Sequence, residues 1–292
     1  MKKIATIICL SLVCLSIAIF SVFGQKVAGA SNSAAGPAAN MPTEKVLYAE
    51  LTPQEFRDRI AAAPIAYLPL GTLEWHGEHL PIGSDGLQSS GFFTGLARQA
   101  GGIVLPMLFL GPDRAEEADG RELYGMDTLG QSMPEGQRYK NQQLAGSAYW
   151  VPEETFRTII EATLKQLSRA GFKIVVAHGH GPSTGFFQKN AADWKQKFGL
   201  ETFTCWGGEY DAQGMGIQVD HAAMNETSLV MALRPELVQM DRLPKDPDSW
   251  PVGIGGKDPR QFASAELGHK ILKLQTERMA KILRQALDKL EK

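Results

Sequence analysis

Ile65-Ala66-Tyr67-Leu68-Pro69-Leu70-Gly71-Thr72-Leu73-Glu74-Trp75-His76-Gly77-Glu78-His79-Leu80-Pro81 decides how the rest of the chain is read. Its first six residues are an apolar run stopped by Gly71, the pattern of a short buried strand. Just upstream, Thr52-Pro53-Gln54-Glu55 is a capping box with Pro at the first helical position, which predicts a helix to about Ala62. Downstream of the Gly-rich turn, a helix is expected from Leu87 to Gln99 and a second strand from Ile103 to Leu110. Val151-Pro152-Glu153-Glu154 opens an amphipathic helix through Ala170, with Phe156, Ile159, Ile160, Leu164 and Leu167 on one face and Gly171 as its stop. A third strand, Phe172 to Ala177, runs straight into His178-Gly179-His180-Gly181. A helix from Thr184 to Phe198, a fourth strand from Glu201 to Trp206, a short helix from Asn225 to Leu233 and a long one from Ser264 to Leu290 complete the pattern. Strands alternating with helices predict an α/β fold whose mainly parallel sheet is covered on both faces. Ligands of such sheets bind beyond the carboxyl ends of the strands. The acid- and His-bearing turns all fall there.

The N-terminus is a different material. Lys2 and Lys3 precede an uncharged run from Ile4 to Phe23, and small residues follow in Val27-Ala28-Gly29-Ala30. Residues 1–30 are read as a signal peptide, with an uncleaved membrane anchor as the alternative because the run is nearly long enough to span a bilayer. Residues 31–46 are expected to be a flexible Ala-, Ser-, Gly- and Asn-rich leader, and residues 47–292 to form one domain. Export to the periplasm or outside the cell is therefore expected. Of three cysteines only Cys205 lies outside the export segment, so a disulfide scaffold is excluded for the mature chain. A net charge of −2 with scattered Lys and Arg gives no basic surface for nucleic acid.

Six histidines are present. Scattered ones are ordinarily surface or satisfied core residues. Here His76 and His79 share one turn, His178 and His180 another, and His221 stands five residues before Glu226; only His269 lies apart. With Glu74, Asp85 and Glu226 beside them, these groups favour a metal site. Imidazole and carboxylate suit Zn, Mn or Fe, and no thiolate set exists for a structural zinc. With several carboxylates, one acid can bridge two ions.

The segment from Leu68 to Pro81, followed by Asp85, resembles the signature of the creatininase family. Gly179-His180-Gly181, then His221 leading to Glu226-Thr227-Ser228, then Asp258-Pro259 and Ala263-Ser264-Ala265-Glu266-Leu267-Gly268 match further family segments in order. The resemblance implies a three-layer α/β/α sandwich with a four-stranded sheet, often assembled as a hexamer. It implies two divalent ions: Glu74, Asp85 and His180 on one, His76 and Asp85 on the other, with His221 handling protons around the substrate. Where creatinine-hydrolysing members carry a further carboxylate two residues past the histidine, this chain has Pro182; Glu226 is assigned instead, against the alternative of a carboxylate stabilising a helix N-terminus. Trp206 matches one substrate-clamping aromatic, Gly181 stands where another belongs, and the position near Ile217 is not aromatic. Trp206, Gly181 and Gln218 are expected at the substrate. His79 and His178 are expected in supporting roles, His178 by orienting a carboxylate.

The implied reaction is hydrolysis of a small amide, cyclic amide or formamide by a metal-bound hydroxide. Two rivals stand beside it: a metallopeptidase acting on short peptides, and a metal-binding protein without turnover. The polar segment from Pro112 to Leu144, with Arg114, Glu116, Glu117, Arg121 and Tyr124, is expected to wall the pocket.

Overall fold

The computed structural model describes residues 45–290, so the expected signal segment and nearly all of the leader lie outside the described residues. The capping box closes as its chemistry requires: Thr52 accepts from the Glu55 amide while the Glu55 carboxylate accepts from the Thr52 amide, and α1 runs Pro53–Ala62. Strand β1 (Ile65–Leu70) is buried along its whole length. Helix α2 (Ser84–Ala100) starts three residues before the expected Leu87, because its first turn is built of Ser84, Asp85 and Gly86, which carry no apolar period. Strand β2 is only Ile103–Val104; Pro106 has no N–H to give, and pairing resumes where the Leu108 amide donates to Pro69.

The segment expected to be aperiodic holds a hairpin, β3 (Ala115–Ala118) and β4 (Arg121–Tyr124), turned at Asp119-Gly120 with both φ angles positive. Short α3 (Met126–Leu129) follows, then α4 (Glu153–Arg169) and β5 (Ile174–Gly179). The single helix expected from Thr184 to Phe198 is two, α5 (Gly181–Lys189) and α6 (Ala191–Phe198). Asn190 breaks it: its side chain donates to the Phe186 carbonyl and accepts from Arg157, competing with the helical ladder. Strand β6 (Glu201–Phe203) is followed by α7 (Met224–Leu233), α8 (Pro259–Phe262) and α9 (Ala265–Leu290).

The sheet is parallel, in the order β2-β1-β5-β6, with Leu70 opposite Gly179. Strand alternation sends Ile65, Tyr67, Ile174 and Val176 to one face, where α2, α7 and α9 supply Phe92, Phe93, Leu229 and Leu283. Ala66, Leu68, Leu70 and Val175 face the other way, onto Phe156 and Ile160 of α4, Phe187 of α5 and Trp194 of α6. This is the expected three-layer α/β/α sandwich. No helix among the described residues is long and apolar enough to cross a membrane.

Two of the sequence segments meet where α9 crosses α7. A Cβ on Gly268 would fall inside the radius of the Ser228 carbonyl oxygen, and the Ser264 amide donates to the Ser228 hydroxyl. The crossing therefore depends on a bare backbone, and it fixes the helix that carries Glu226. Gly268→Ala is expected to lower unfolding free energy by about 1–3 kcal/mol, since overpacking against backbone outweighs the gain in helix propensity. Urea denaturation at unchanged m-value checks it, and wild-type stability would show the crossing to be adjustable.

Candidate metal centre

Because β1 and β5 are neighbours in register, the chain leaves the sheet twice at one place, carrying Glu74 and His76 from one strand end and His180 from the other. Gly179 makes the second exit possible: its φ is +148, and any Cβ would collide with the Leu70 carbonyl. Thr184 locks this turn by accepting from the Gly179 amide at 3.0 Å. His180 bonds through Nδ1 to Ser183 at 2.8 Å, which leaves Nε2 to face the cavity. His76 bonds through Nδ1 to the Glu74 carbonyl at 3.1 Å, so its Nε2 also turns inward. Asp85 arrives from the first turn of α2 and Glu226 from the first turn of α7.

These side chains form two sets whose donor atoms lie within 4.8 Å of one another: Glu74, Asp85 and His180, and His76, Asp85 and Glu226. Asp85 belongs to both. His76 Nε2 stands 3.4 Å from Asp85 Oδ1 and 3.4 Å from Glu226 Oε2. His180 Nε2 is 3.9 Å from Glu74 Oε2. A third set joins Glu74, His76 and His221.

The electrostatics suit cations. Burial, then Asp113 and Asp85, pushes Glu74 up to about 7 against the pull of His180. Burial, then Asp85 and Asp220, raises Glu226 well above the carboxylate range. Burial opposes charge on His76, but Asp85 and Glu226 carry it up to about 10. His76 Nε2 and Asp85 Oδ2 are buried without a hydrogen-bond partner, a condition ordinarily costing about 1–3 kcal/mol per group. Divalent ions would satisfy both atoms and offset the crowded acids, so the residues present fit a metal centre.

The surrounding residues take distinct places. His221 donates from Nε2 to the Trp75 carbonyl at 2.8 Å, and its ring lies 4.4 Å from that of His76. Burial, then His76, holds it neutral, down to about 3. His79 bonds through Nε2 to the Thr227 hydroxyl at 2.9 Å, tying the signature turn to α7. His178 corrects an expectation: its nitrogens meet the Ile217 carbonyl and the Cys205 amide, so it orients no carboxylate and instead joins the sheet end to the following loop. That loop matters, because Gln218 donates to Asp85 Oδ1 and to the Asp85 carbonyl, each at 3.2 Å. Gln218, expected at the substrate, thus holds the acid common to the two sets. Trp206 donates to the Gln218 carbonyl at 3.2 Å. Ile217 faces the core.

A cavity of about 560 Å³ opens over the centre. Glu74, Asp85, His180, Gly181, Trp206, Gln218, His221 and Glu226 line it, with Met126, Leu129, Asp211 and Asp113; no Lys or Arg among the described residues lines it. A Cβ on Gly181 would meet nothing within 4 Å, so the missing aromatic leaves open space. The segment after Pro112 does wall the pocket, but not through the residues expected. Arg114 just before the hairpin and Glu117 and Arg121 on it are exposed, and Glu116 and Tyr124 lie outside the lining, while Asp113, Met126 and Leu129 face the cavity. Asp113 was not singled out by the sequence, yet its Oδ2 accepts from His180 Nε2 at 3.1 Å.

Fold and site together place a carboxylate- and imidazole-rich candidate metal centre at the carboxyl edge of a parallel sheet. The chain matches the profile described as Creatininase: Creatinine amidohydrolase over residues 49–283, and it belongs to that family of metal-dependent amidohydrolases. A creatinine amidohydrolase of Pseudomonas putida is 27% identical over 281 residues, 83% of this chain and 98% of the relative. A structure described as creatininase Mn and one of a Zn–Zn creatininase variant each superpose with a TM-score of 0.62 at 23% identity, covering 82% of this chain and 98% of theirs. At that identity the structural likeness speaks for the fold.

Proposed function

We propose that this chain hydrolyses a small amide, cyclic amide or formamide, with two divalent ions, Zn or Mn, held by two ligand sets that share one acid. The observation that carries the reading is Asp85, whose carboxylate belongs to both sets while its Oδ2 has no partner in the protein. Glu74, Asp85 and His180 would hold one ion and His76, Asp85 and Glu226 the other. Bound there, such ions supply Lewis-acid polarisation of a carbonyl and acidify water.

The chain's own residues do the rest. Gln218 and the Glu74 carbonyl fix Asp85 and His76, so the donors are held before anything binds. Met126, Leu129 and Trp206 give the cavity an apolar wall that limits water around the scissile bond. His221 has Nε2 committed to the Trp75 carbonyl, which leaves Nδ1 to take a proton and pass it to the leaving nitrogen. Among the described residues no Lys or Arg lines the cavity, while Asp211 and Asp220 do beside the proposed ligands, so the protein's own wall suits a neutral or cationic substrate.

The test pairs elemental analysis with a turnover screen of amides, lactams, formamides, creatinine and dipeptides on Zn- and Mn-loaded protein. Two ions per chain are expected, with kcat/KM above about 10⁴ M⁻¹s⁻¹ for a non-peptide amide. Creatinine is expected below that value, since two aromatic surfaces for a flat ring, each worth about 1 kcal/mol, are missing. Two bound ions without turnover of any compound would leave a binding protein, and dipeptides as the preferred class would make it a peptidase.

A further inference from the structure

We propose that Asp113 is itself a ligand, a fourth protein donor to the ion held by Glu74, Asp85 and His180. This rests on the metal reading above and extends it to a residue outside the signature segments.

The first argument is a conflict over one atom. His180 has two ring nitrogens, and Ser183 engages Nδ1. Nε2 is therefore the only atom with which His180 can reach a cation, and Nε2 is the atom Asp113 Oδ2 bonds at 3.1 Å. An imidazole nitrogen that donates its lone pair to a cation carries no proton. When the ion is present, the hydrogen bond to Asp113 is gone, and the carboxylate turns to the ion itself or to water held by it; the separations favour the ion.

The second argument is separation. Two donors that each lie about 2.1 Å from one ion stand roughly 3.0–3.4 Å apart at octahedral to tetrahedral angles. Asp113 Oδ2 and His180 Nε2 are already at 3.1 Å, nearer than Glu74 Oε2 and His180 Nε2 at 3.9 Å. Asp113 and Glu74 border the same glycine, since a Cβ on Gly125 would sit 2.8 Å from Asp113 Oδ2 and 2.8 Å from Glu74 Oε1, though Asp113 stands outside the three closest donor sets.

The third argument is that Asp113 is held in place rather than draped there. Trp150 donates from its indole to the Asp113 carbonyl at 3.0 Å and stacks on Tyr124 of the hairpin. The Val151 amide donates to the Gly111 carbonyl at 3.0 Å, which pins the segment two residues ahead. Asp113 Oδ1 accepts from the Arg114 amide at 2.7 Å, leaving Oδ2 as the oxygen turned to the centre. The side chain is 12% exposed.

With Asp113 included, Glu74, Asp85, Asp113 and Glu226 bring four negative charges to two divalent ions. The His180 position then has three carboxylate donors and one imidazole. That harder donor set leans toward Mn more than the His76 position does.

Metal-loaded wild type, Asp113→Asn and His180→Ala, with the double variant, are titrated against a chelator, and bound ions are counted by elemental analysis. Cobalt-loaded samples report the coordination sphere by visible absorption. Asp113→Asn is expected to keep one ion at wild-type affinity, to weaken the other by about 10–100-fold or more, and to change the cobalt spectrum. Adding it to His180→Ala is expected to have no further effect on the ion that remains. Asp113→Ser, read the same way, serves if the Asn variant fails to fold. Two ions bound as in wild type, with an unchanged cobalt spectrum, would overturn the assignment while leaving the two-ion reading intact. Wild type that binds no divalent ion overturns both.

Discussion

Asp85→Asn is expected to empty both metal positions and to lower activity by more than about 10³-fold, the several kcal/mol that metal ions contribute to such transition states. The substitution is nearly isosteric. An Asn oxygen can still accept from Gln218, so the loop that carries Gln218 and the start of α2 keep their contact. What disappears is the charge shared by the two ligand sets. Burial works against ionisation of Asp85, yet His76 beside it holds the carboxyl below its usual range, so the wild-type group is an anion ready for a cation. Metal that binds only the native state adds about 2.7 kcal/mol at a hundredfold excess over Kd. The wild type is therefore expected to melt higher when loaded than when stripped, and the variant to melt at one temperature in both states. Elemental analysis and paired melting curves read this directly. A variant that still carries two ions would mean that the sets do not share Asp85.

Much of this was legible in the sequence, for identifiable reasons. The parallel sheet could be read because its strands are buried on both faces and so appear as plain apolar runs, as in Ile65–Leu70. The donors around His76 and His180 could be read because they follow those runs by a few residues. Asp85 was legible as a residue but not as part of a helix, since the first turn of α2 is polar and Gly-rich. The β3–β4 hairpin was missed although Asp119-Gly120 is a two-residue turn signal, because the flanking strands are four residues each and rich in charge, with no apolar alternation to read. Asp113 had no local signal. It lies 67 residues from His180 and reaches it only through the Trp150 clamp, a tertiary arrangement with no periodicity to reveal it. His178 misled for the opposite reason: its place two residues before His180 suggested chemistry, whereas its nitrogens serve backbone groups.

The second large effect is expected from Glu226→Gln, which separates two readings of one side chain, a metal ligand and a carboxylate serving a helix start. Glu226 Oε2 accepts from the Ala222 amide at 2.8 Å, as a carboxylate at a helix N-terminus does, and stands 3.4 Å from His76 Nε2. Asp220 already accepts from the amides of Asn225 and Glu226, so the start of α7 has a capping group of its own. Gln preserves the size of the side chain and an oxygen for the Ala222 amide, and it removes only the charge. Burial, then Asp85 and Asp220, pushes the wild-type carboxyl up, so charge persists at this position where a cation offsets it, and Gln resembles the neutral form. If Glu226 serves only the helix, the variant keeps both ions and loses about 0.3–1 kcal/mol of stability. If it is the ligand that stands in for the carboxylate absent at Pro182, the stripped variant melts with the stripped wild type. The loaded variant then carries one ion instead of two and melts below the loaded wild type. Activity falls by about 10²–10³-fold, on the scale of losing one electrostatic stabiliser of the transition state. The ion retained is expected to be the one on His180, so a further His180→Ala change removes it, whereas His76→Ala adds nothing. Two ions at wild-type affinity in the Gln variant would place the missing carboxylate elsewhere, with Asp220 next in line among the acids of the cavity.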